Sequence, residues 1–148
     1  MGYLINPHGV TFGPKAQIDV PAAFHVSTAD QLTFQDGRVY SATHPSVSTL
    51  SSAAPASFGF LNTSSANNSL IDVKGTQWTL PTGGSMDCVG GNITLENKAS
   101  VTAPAGEVRL VAVGAGSIEV PLSPGVVPTT HGNLQIDSST IDTSGSGA

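Results

Sequence analysis

Residues 4 to 14 read Leu-Ile-Asn-Pro-His-Gly-Val-Thr-Phe-Gly-Pro, a stretch that predicts a strand, a tight turn and a second strand. The turn falls at Asn6-Pro7-His8-Gly9. The Asn6 side chain can accept a hydrogen bond from the backbone two residues on, Pro7 presets φ, and Gly9 suits the last position of a type I turn. Apolar residues lead into the turn, and apolar residues at alternate positions, beginning with Val10, lead out of it.

The turn resembles the Asn-Pro-Asn-Gly-Ile motif of the filamentous haemagglutinin N-terminal domain, which is the two-partner secretion (TPS) domain of exported bacterial passengers. In this chain Asn6, Pro7 and Gly9 match the motif, whereas His8 and Val10 are variants. The resemblance covers nearly the whole chain and continues in the segments at 27–30, 34–37, 55–61, 80–83, 89–95 and 141–145. The opening motif is fairly specific, while the Gly-rich segments are typical of many repetitive β proteins.

Composition predicts one all-β domain. The chain has 148 residues, of which 39% are hydrophobic and 10% are charged, with 17 Gly and 10 Pro, and it contains no amphipathic helical segment. This length can bury a core, and the low charge is unlike that of a typical disordered chain. The net charge is −5, and the five basic residues are scattered, so no basic patch for nucleic acid is expected.

The single cysteine, Cys88, excludes an internal disulfide framework, and its apolar neighbours indicate a buried small hydrophobe. No run of about 18 apolar residues predicts membrane insertion, and no charged segment followed by an apolar run opens the chain as an export signal would. The resemblance implies a signal peptide, an amino-terminal cap and an Asn-Pro-Asn-Leu motif before the opening stretch. The chain is therefore expected to be a truncated piece that begins within the domain.

Apolar pairs, each separated by one residue, recur along the second half of the chain and predict short strands. Their first members form the predicted core stack, with steps of 7, 8, 7, 8, 7 and 10 residues: Ile71, Trp78, Met86, Ile93, Val101, Val108 and Ile118. Three regular steps span about 22 to 23 residues, which is a solenoid coil length. An antiparallel sandwich or barrel stays open on periodicity alone, and the resemblance favours a three-faced right-handed parallel β-helix.

The predicted organisation is a single β-helix domain fragment with extra-helical loops or hairpins. A looser rhythm of apolar pairs begins at Ile18 and lapses between Ser41 and Ser69, around a short buried strand at Phe58 to Leu61. The expected segments are the motif (1–17), first coils with excursions (18–61), a loop (62–69), regular coils (70–120), a second loop (121–132), and a last coil with tail (133–148).

No catalytic residues, metal ligands or cofactor are predicted. The chain has no Gly-x-Ser-x-Gly elbow, no Cys-x-x-Cys, no His-x-x-x-His and no calcium-binding repeat, and its four His are isolated along the sequence. The enzymatic alternative is a polysaccharide lyase or hydrolase with a β-helix fold, for which Asp36 and Asp72 are the carboxylates to test. Trp78 is more typical of the core than of a sugar-binding platform.

The resemblance implies a secreted, non-enzymatic passenger of a Gram-negative bacterium. Its segment Asn6 to Val10 either contacts an outer-membrane TpsB-type transporter, through the periplasmic POTRA domains, or only shapes the turn. The resemblance further implies that β-helix formation outside the cell supports export and surface adhesion. The alternatives are the enzyme above or a plain adhesin that binds host or cell-surface glycans. Because an uncapped coil exposes unpaired strand edges, the fragment is also expected to self-associate through its amino end.

Overall fold

The computed structural model describes residues 2–17, 22–44, 46, 51–61, 69–114, 118–122 and 132–145. Within these ranges every regular element of the fold is a β-strand. The strands are β1 (Gly2–Ile5), β2 (Val10–Phe12), β3 (Ala23–Ser27), β4 (Gln31–Phe34), β5 (Val39–Ser41), β6 (Pro55–Phe60), β7 (Leu70–Lys74), β8 (Gln77–Thr79), β9 (Ser85–Gly90), β10 (Asn92–Glu96), β11 (Ser100–Thr102), β12 (Glu107–Ala112), β13 (Ile118–Pro121), β14 (Leu134–Ile136) and β15 (Thr140–Asp142). The predicted all-β class is confirmed.

Three of the four sheets are parallel and are built from strands that recur along the chain. Sheet 1 has the order β1-β3-β9-β12, sheet 2 the order β2-β7-β10-β14, and sheet 3 the order β8-β11-β15. Neighbouring strands in the regular region pair one repeat apart, so Ile71 lies beside Ile93 in sheet 2. Trp78 likewise lies beside Val101 in sheet 3. The sequence period and the strand pairing therefore agree.

One apolar core lies between the inward faces of the three parallel sheets. Because side chains alternate across a strand, the two members of each apolar pair face in and the residue between them faces out. The buried members of this core are Phe24, Val26, Ile71, Val73, Trp78, Leu80, Met86, Cys88, Ile93, Leu95, Ala99, Val101 and Ala103. Consecutive strands thus contribute matched rows to a continuous apolar column.

Sheet 4 is antiparallel, with the order β13-β6-β4-β5. It covers part of the outer face of sheet 1, where a second apolar cluster joins Val89 of β9 to Leu32, Phe58, Phe60 and Val120. The predicted strand at Phe58 to Leu61 is present from Phe58 to Phe60, as the end of β6, and Leu61 lies beyond the strand with an exposed side chain. The excursions from the parallel sheets therefore form a sheet of their own.

Two parts of the predicted rhythm are placed differently from the expectation. The chain reverses after β4, where Gly37 has φ +85° and its N–H donates to the Phe34 carbonyl, so β4 and β5 form a hairpin instead of coil strands. Ile118 does not follow Ile93 in the stack. The strand that contains it pairs antiparallel with β6, beside Phe60, and the next neighbour of Ile93 is Leu134. The ten-residue step before Ile118 marks this departure.

Several predicted segments lie outside the described residues. They are the pair Ile18 and Val20, Val47, the loop 62–69 except its last residue, most of the loop 121–132, and the end of the tail at 146–148. Within the part of the chain that the structure describes, no helix is long and apolar enough to cross a membrane.

Successive turns of the parallel region approach each other closely at Gly106. A Cβ on this residue would overlap the Gly84 carbonyl oxygen of the preceding repeat. Gly106→Ala is therefore expected to lower the free energy of unfolding by about 1–3 kcal/mol through overpacking, measured by urea denaturation. Gly13→Ala is the matched control, because nothing lies within 4 Å of a Cβ at Gly13. Equal losses for the two variants would contradict this explanation.

Candidate functional site

The Asn6–Gly9 turn forms the corner between β1 and β2. The N–H of His8 donates to Asn6 Oδ1 at 3.1 Å, and the N–H of Gly9 donates to the Asn6 carbonyl at 3.1 Å. The predicted hydrogen bond to the Asn6 side chain is thus present, a backbone hydrogen bond also closes the turn, and Gly9 has φ +110°, a value that favours glycine. The two strands do not pair with each other. β1 belongs to sheet 1 and β2 to sheet 2, so the turn carries the chain from one sheet to the next.

Neighbouring strands hold this turn in place through its backbone. The Asn6 N–H donates to the Ser27 carbonyl at 3.0 Å, and the Ser69 hydroxyl donates to the Pro7 carbonyl. A Cβ at Gly9 would lie 3.1 Å from the Leu70 carbonyl oxygen, so this position also has little room. The side chains of Asn6 and His8 are exposed. The backbone of the motif is therefore engaged inside the fold, and its polar side chains face solvent.

The predicted core-stack residues are brought together, with the exception of Ile118. Ile71, Trp78, Met86, Ile93 and Val101 are buried, and Val108 is half-buried at the end of the column. The ring of Trp78 contacts Phe12 edge to face, with centroids 4.7 Å apart. Trp78 is thus a core residue, and its indole Nε1 is buried without a hydrogen-bond partner among the described residues.

A row of polar and aromatic side chains crosses the outer face of sheet 1, one from each strand. Tyr3, His25, Asp87 and Arg109 align in register across β1, β3, β9 and β12, and we call these four residues the Asp87 ladder. The rings of Tyr3 and His25 stack with centroids 4.5 Å apart and an interplanar angle of 7°. His25 Nδ1 lies 3.1 Å from Asp87 Oδ2. Arg109 binds both Asp87 oxygens, with Nε at 2.7 Å and Nη2 at 2.9 Å.

The ladder also connects sheet 1 to sheet 4. Arg109 Nη1 donates to the Pro121 carbonyl of β13 at 3.1 Å, so one guanidinium group bridges the two sheets. A cavity of about 180 Å³ lies beside the ladder and is lined by His25, Ser85, Met86, Asp87, Glu107, Arg109 and Leu122. Through these contacts the ladder links sheets 1 and 4 by polar interactions, beside the apolar cluster that lies between the two sheets.

Burial and hydrogen bonding act in opposite directions on Asp87. Burial raises the pKa of its carboxyl group. The hydrogen bonds from His25 and Arg109 and the charge of Arg109 lower the pKa, and together they outweigh burial, so the net pKa lies below the usual value. Tyr3 has a raised pKa because it is partly buried and lies near the Asp87 carboxylate. The hydrogen bonds and charges of the ladder therefore favour the ionised form of Asp87 although this residue is buried.

The carboxylates considered for an enzyme belong to different sheets. Asp36 lies in the turn of the β4–β5 hairpin, where hydrogen bonds from the Ser51 hydroxyl and the Arg38 N–H lower its pKa. Asp72 lies on β7, where burial and the nearby Glu96 carboxylate raise its pKa. Among the described residues, no three His, Cys, Asp or Glu side chains form a group that could hold a metal ion. This placement gives no support to a shared carboxylate site.

Comparison with known proteins decides the family. A family model described as the TPS secretion domain matches residues 3–144. The chain belongs to the TPS secretion domain family. No curated protein and no solved structure gives a significant match. The matched range begins at the first residue of the Asp87 ladder and includes the Asn6–Gly9 turn and every strand from β2 to β15.

Membership of the TPS secretion domain family gives the chain a general role. It is part of a two-partner-secretion exoprotein, a class whose members are secreted and extracellular and act with a TpsB transporter. The family is one of secretion domains and adhesins and is not an enzyme family.

Cys88 of this TPS domain is placed in the apolar column. It is fully buried beside Val26 of β3 and Leu110 of β12, and burial strongly raises its pKa. Because the thiolate is the reactive form, Cys88 is expected to resist thiol reagents in the native protein and to react only on unfolding. The labelling rate should therefore rise steeply at the urea midpoint, and full labelling of native protein within minutes would contradict the buried placement.

Proposed function

We propose that this chain is the β-helical secretion module of an adhesin similar to filamentous haemagglutinin, and that the three parallel sheets are the faces of a right-handed parallel β-helix. From β7 to β12 the strands pass through sheets 2, 3 and 1 in a fixed cyclic order. One such cycle takes about 22 to 23 residues, a length typical of solenoid repeats. Crossover connections between parallel strands are almost always right-handed, which supports that hand here.

In this proposal the TpsB-type transporter binds the segment through its periplasmic POTRA domains before the segment folds. The observation that carries the proposal is the position of the Asn6–Gly9 turn. Its backbone atoms are engaged by Ser27 and Ser69 in the folded domain. A partner that reads the backbone of the motif must therefore meet the unfolded chain. Folding outside the cell then places the turn at a corner and helps to draw the rest of the passenger outward.

Coil-by-coil folding is compatible with the packing of the domain. Each parallel strand packs chiefly on its neighbours one repeat before and one repeat after, as Ile93 does between Ile71 and Leu134. Such nearest-neighbour stability lets folding begin at one end and propagate. The secreted domain is expected on the surface of a Gram-negative bacterium, after removal of a signal peptide. The outward polar rows of sheets 2 and 3 are its available surfaces for adhesion to glycans.

The test compares folded and urea-unfolded chain for binding to purified POTRA domains of the cognate transporter, after rapid dilution from urea. Freshly diluted chain is expected to bind at least about tenfold more tightly than folded chain. Asn6→Ala is expected to weaken the binding of the diluted chain by about tenfold, which corresponds to the loss of one or two hydrogen bonds. Thr11→Ala is the control, because Thr11 is exposed on β2 outside the motif.

A separate measurement distinguishes recognition from turn formation. The Asn6→Ala variant loses the hydrogen bond between Asn6 Oδ1 and the His8 N–H, so its unfolding free energy should fall by about 1 kcal/mol in either case. If this loss occurs while POTRA binding is unchanged, the motif is structural only. Tighter binding by the folded chain would overturn the proposed order of events.

A further inference from the structure

A cleft lies on the outer face of sheet 1, between the Asp87 ladder and the start of β6. Its inner part is the cavity of about 180 Å³ beside the ladder, and its outer part is a cavity of about 470 Å³ that also reaches Gln35 and residues 54–56. The two parts share His25, Ser85 and Leu122, so they adjoin each other. Ligand pockets in proteins occupy about 300 to 1,000 Å³, so the outer part alone is large enough for a small ligand.

A second outward row of sheet 1 forms the floor of the cleft. Ala23, Ser85 and Glu107 align in register across β3, β9 and β12, two residues before the row of the ladder. Because alternate residues of a strand share a face, this row lies beside the ladder on the same side of the sheet. Ala23 and Ser85 have small side chains. They therefore leave space next to the larger ring of His25, and the cleft stays open.

Several polar side chains that line the cleft have unused hydrogen-bonding capacity. The Gln35 amide group, the Ser85 hydroxyl and the Glu107 carboxylate make no hydrogen bond to other described residues. His25 Nδ1 bonds to the Asp87 carboxylate, which assigns the ring proton to Nδ1 and leaves Nε2 of the neutral imidazole as an acceptor. The cleft thus offers acceptors at Glu107 and His25, and both a donor and an acceptor at Gln35 and at Ser85.

The charges of the cleft favour a neutral ligand. Arg109 is already bound to both oxygens of Asp87 and to the Pro121 carbonyl, so its guanidinium group is committed inside the fold. The Glu107 carboxylate would repel an anionic ligand. A ligand with several ammonium groups would enter the cleft with more charges than this one carboxylate can pair, and an unpaired charge is costly to desolvate. A neutral ligand with several hydroxyl groups meets the donors and acceptors without either cost.

We propose that the cleft between sheets 1 and 4 binds a neutral saccharide unit. Hydroxyl groups of the sugar donate to the Glu107 carboxylate and to His25 Nε2 and accept from the Gln35 amide, while the small apolar residues 54–56 contact its C–H groups. These hydrogen bonds replace bonds to water, so the affinity for a single unit is modest. The proposal rests on the adhesive part of the proposed function, for which it names a site outside sheets 2 and 3 and a class of sugar. It does not depend on the transporter.

The experiment measures saccharide binding by NMR chemical-shift titration of the folded, isotope-labelled chain. Maltotriose, lactose and chitotriose are the neutral probes, a hyaluronan tetrasaccharide is the anionic probe, and spermidine is the cationic probe. At least one neutral probe is expected to bind with a Kd of about 1 mM and to shift the amide resonances of His25, Ser85 and Glu107. The anionic and cationic probes are expected to bind at least about tenfold more weakly.

Two variants with matched controls test the named contacts. Glu107→Gln removes the charge and keeps the shape, so it is expected to weaken binding of the neutral probe about fivefold and to reduce the discrimination against the anionic probe. Gln35→Ala is expected to weaken binding of the neutral probe about threefold to tenfold, as the loss of one hydrogen bond does. Glu96→Gln and Gln135→Ala are the controls, since both residues lie on sheet 2 outside the cleft and should leave binding unchanged.

Three outcomes would overturn the proposal. One is that no neutral probe shifts any resonance at concentrations well above 1 mM. Another is that the shifts are confined to outward residues of sheets 2 and 3, such as Thr94 and Gln135, which would put the sugar on a different surface. The third is tighter binding of either charged probe. Thermal unfolding checks that each variant is folded. POTRA binding is measured separately with the same preparations, so a failure of the saccharide site is told apart from a failure of transporter recognition.

Discussion

Ile93→Ala is expected to lower the free energy of unfolding by about 3–4 kcal/mol. Ile93 has no exposed surface and lies in the middle of sheet 2, between Ile71 of β7 and Leu134 of β14. Both neighbours fix the backbone around it through parallel pairing, so the site has little freedom to collapse. The variant therefore loses the transfer free energy of the removed atoms and retains most of the cavity.

Leu134→Ala is the matched control for this prediction. Leu134 pairs directly with Ile93 in the same row, but 47% of its surface is exposed at the carboxyl end of the column. Its truncation removes a similar number of atoms, and most of them already contact water, so a loss of about 1 kcal/mol or less is expected. Urea denaturation followed by Trp78 fluorescence measures both variants. Equal losses would mean that the column is not the principal source of stability.

The parallel part of the fold was predictable from the sequence because one physical requirement repeats. Each short strand must bury an apolar pair, and each corner needs turn-forming residues, so a spacing of about 22 to 23 residues is visible without an alignment. Ile71 and Ile93 are found in register at that spacing, as are Trp78 and Val101. The Asn6–Gly9 turn was predictable for a similar reason, since Asn, Pro and Gly each favour one position of the turn.

Sheet 4 was not predictable from the same spacing. Leu32 and Phe34 form an apolar pair like those of the parallel strands, but the chain reverses at Gly37 and pairs them antiparallel. A pair of alternating apolar residues indicates a strand and does not indicate its direction. The predicted place of Ile118 in the core stack was wrong for this reason. Its strand pairs with β6, which comes from a distant excursion of the chain.

The Asp87 ladder was not predicted from the sequence, although the spacing of two of its residues, Asp87 and Arg109, indicates their contact. Asp87 and Arg109 are separated by one repeat of the chain, and they lie between the members of the pairs that begin at Met86 and Val108. Their contact could have been predicted from the spacing. His25 lies 62 residues before Asp87 because the excursion that contains β4, β5 and β6 lies between β3 and β9, in addition to β7 and β8. Tertiary structure alone brings it into the row.

Asp87→Asn is expected to lower the free energy of unfolding by about 3 kcal/mol, because it leaves the Arg109 guanidinium group without its carboxylate. Only 8% of the Asp87 side chain and 15% of the Arg109 side chain are exposed. The same guanidinium donates to the Pro121 carbonyl, so the substitution is also expected to weaken the contact between sheets 1 and 4. Glu96→Gln is the control, since the Lys74–Glu96 ion pair is half exposed and should contribute less than about 1 kcal/mol.

The pH dependence of stability gives this prediction a second readout with a definite sign. The folded-state pKa of Asp87 is depressed, so its ionised form contributes stability above the unfolded-state pKa of about 4. That contribution is lost as the pH falls through the lower folded-state pKa, because the native state must then take up the proton. The difference in unfolding free energy between the native protein and Asp87→Asn should therefore be full at neutral pH and shrink below about pH 4.

The double variant Asp87→Asn/Arg109→Leu should recover part of the loss at neutral pH, since it removes the unpaired charge as well. A constant difference in unfolding free energy across the acid range, with no recovery in the double variant, would show that Asp87 acts by shape alone. The ladder would then be a packing contact and not an electrostatic link between sheets 1 and 4.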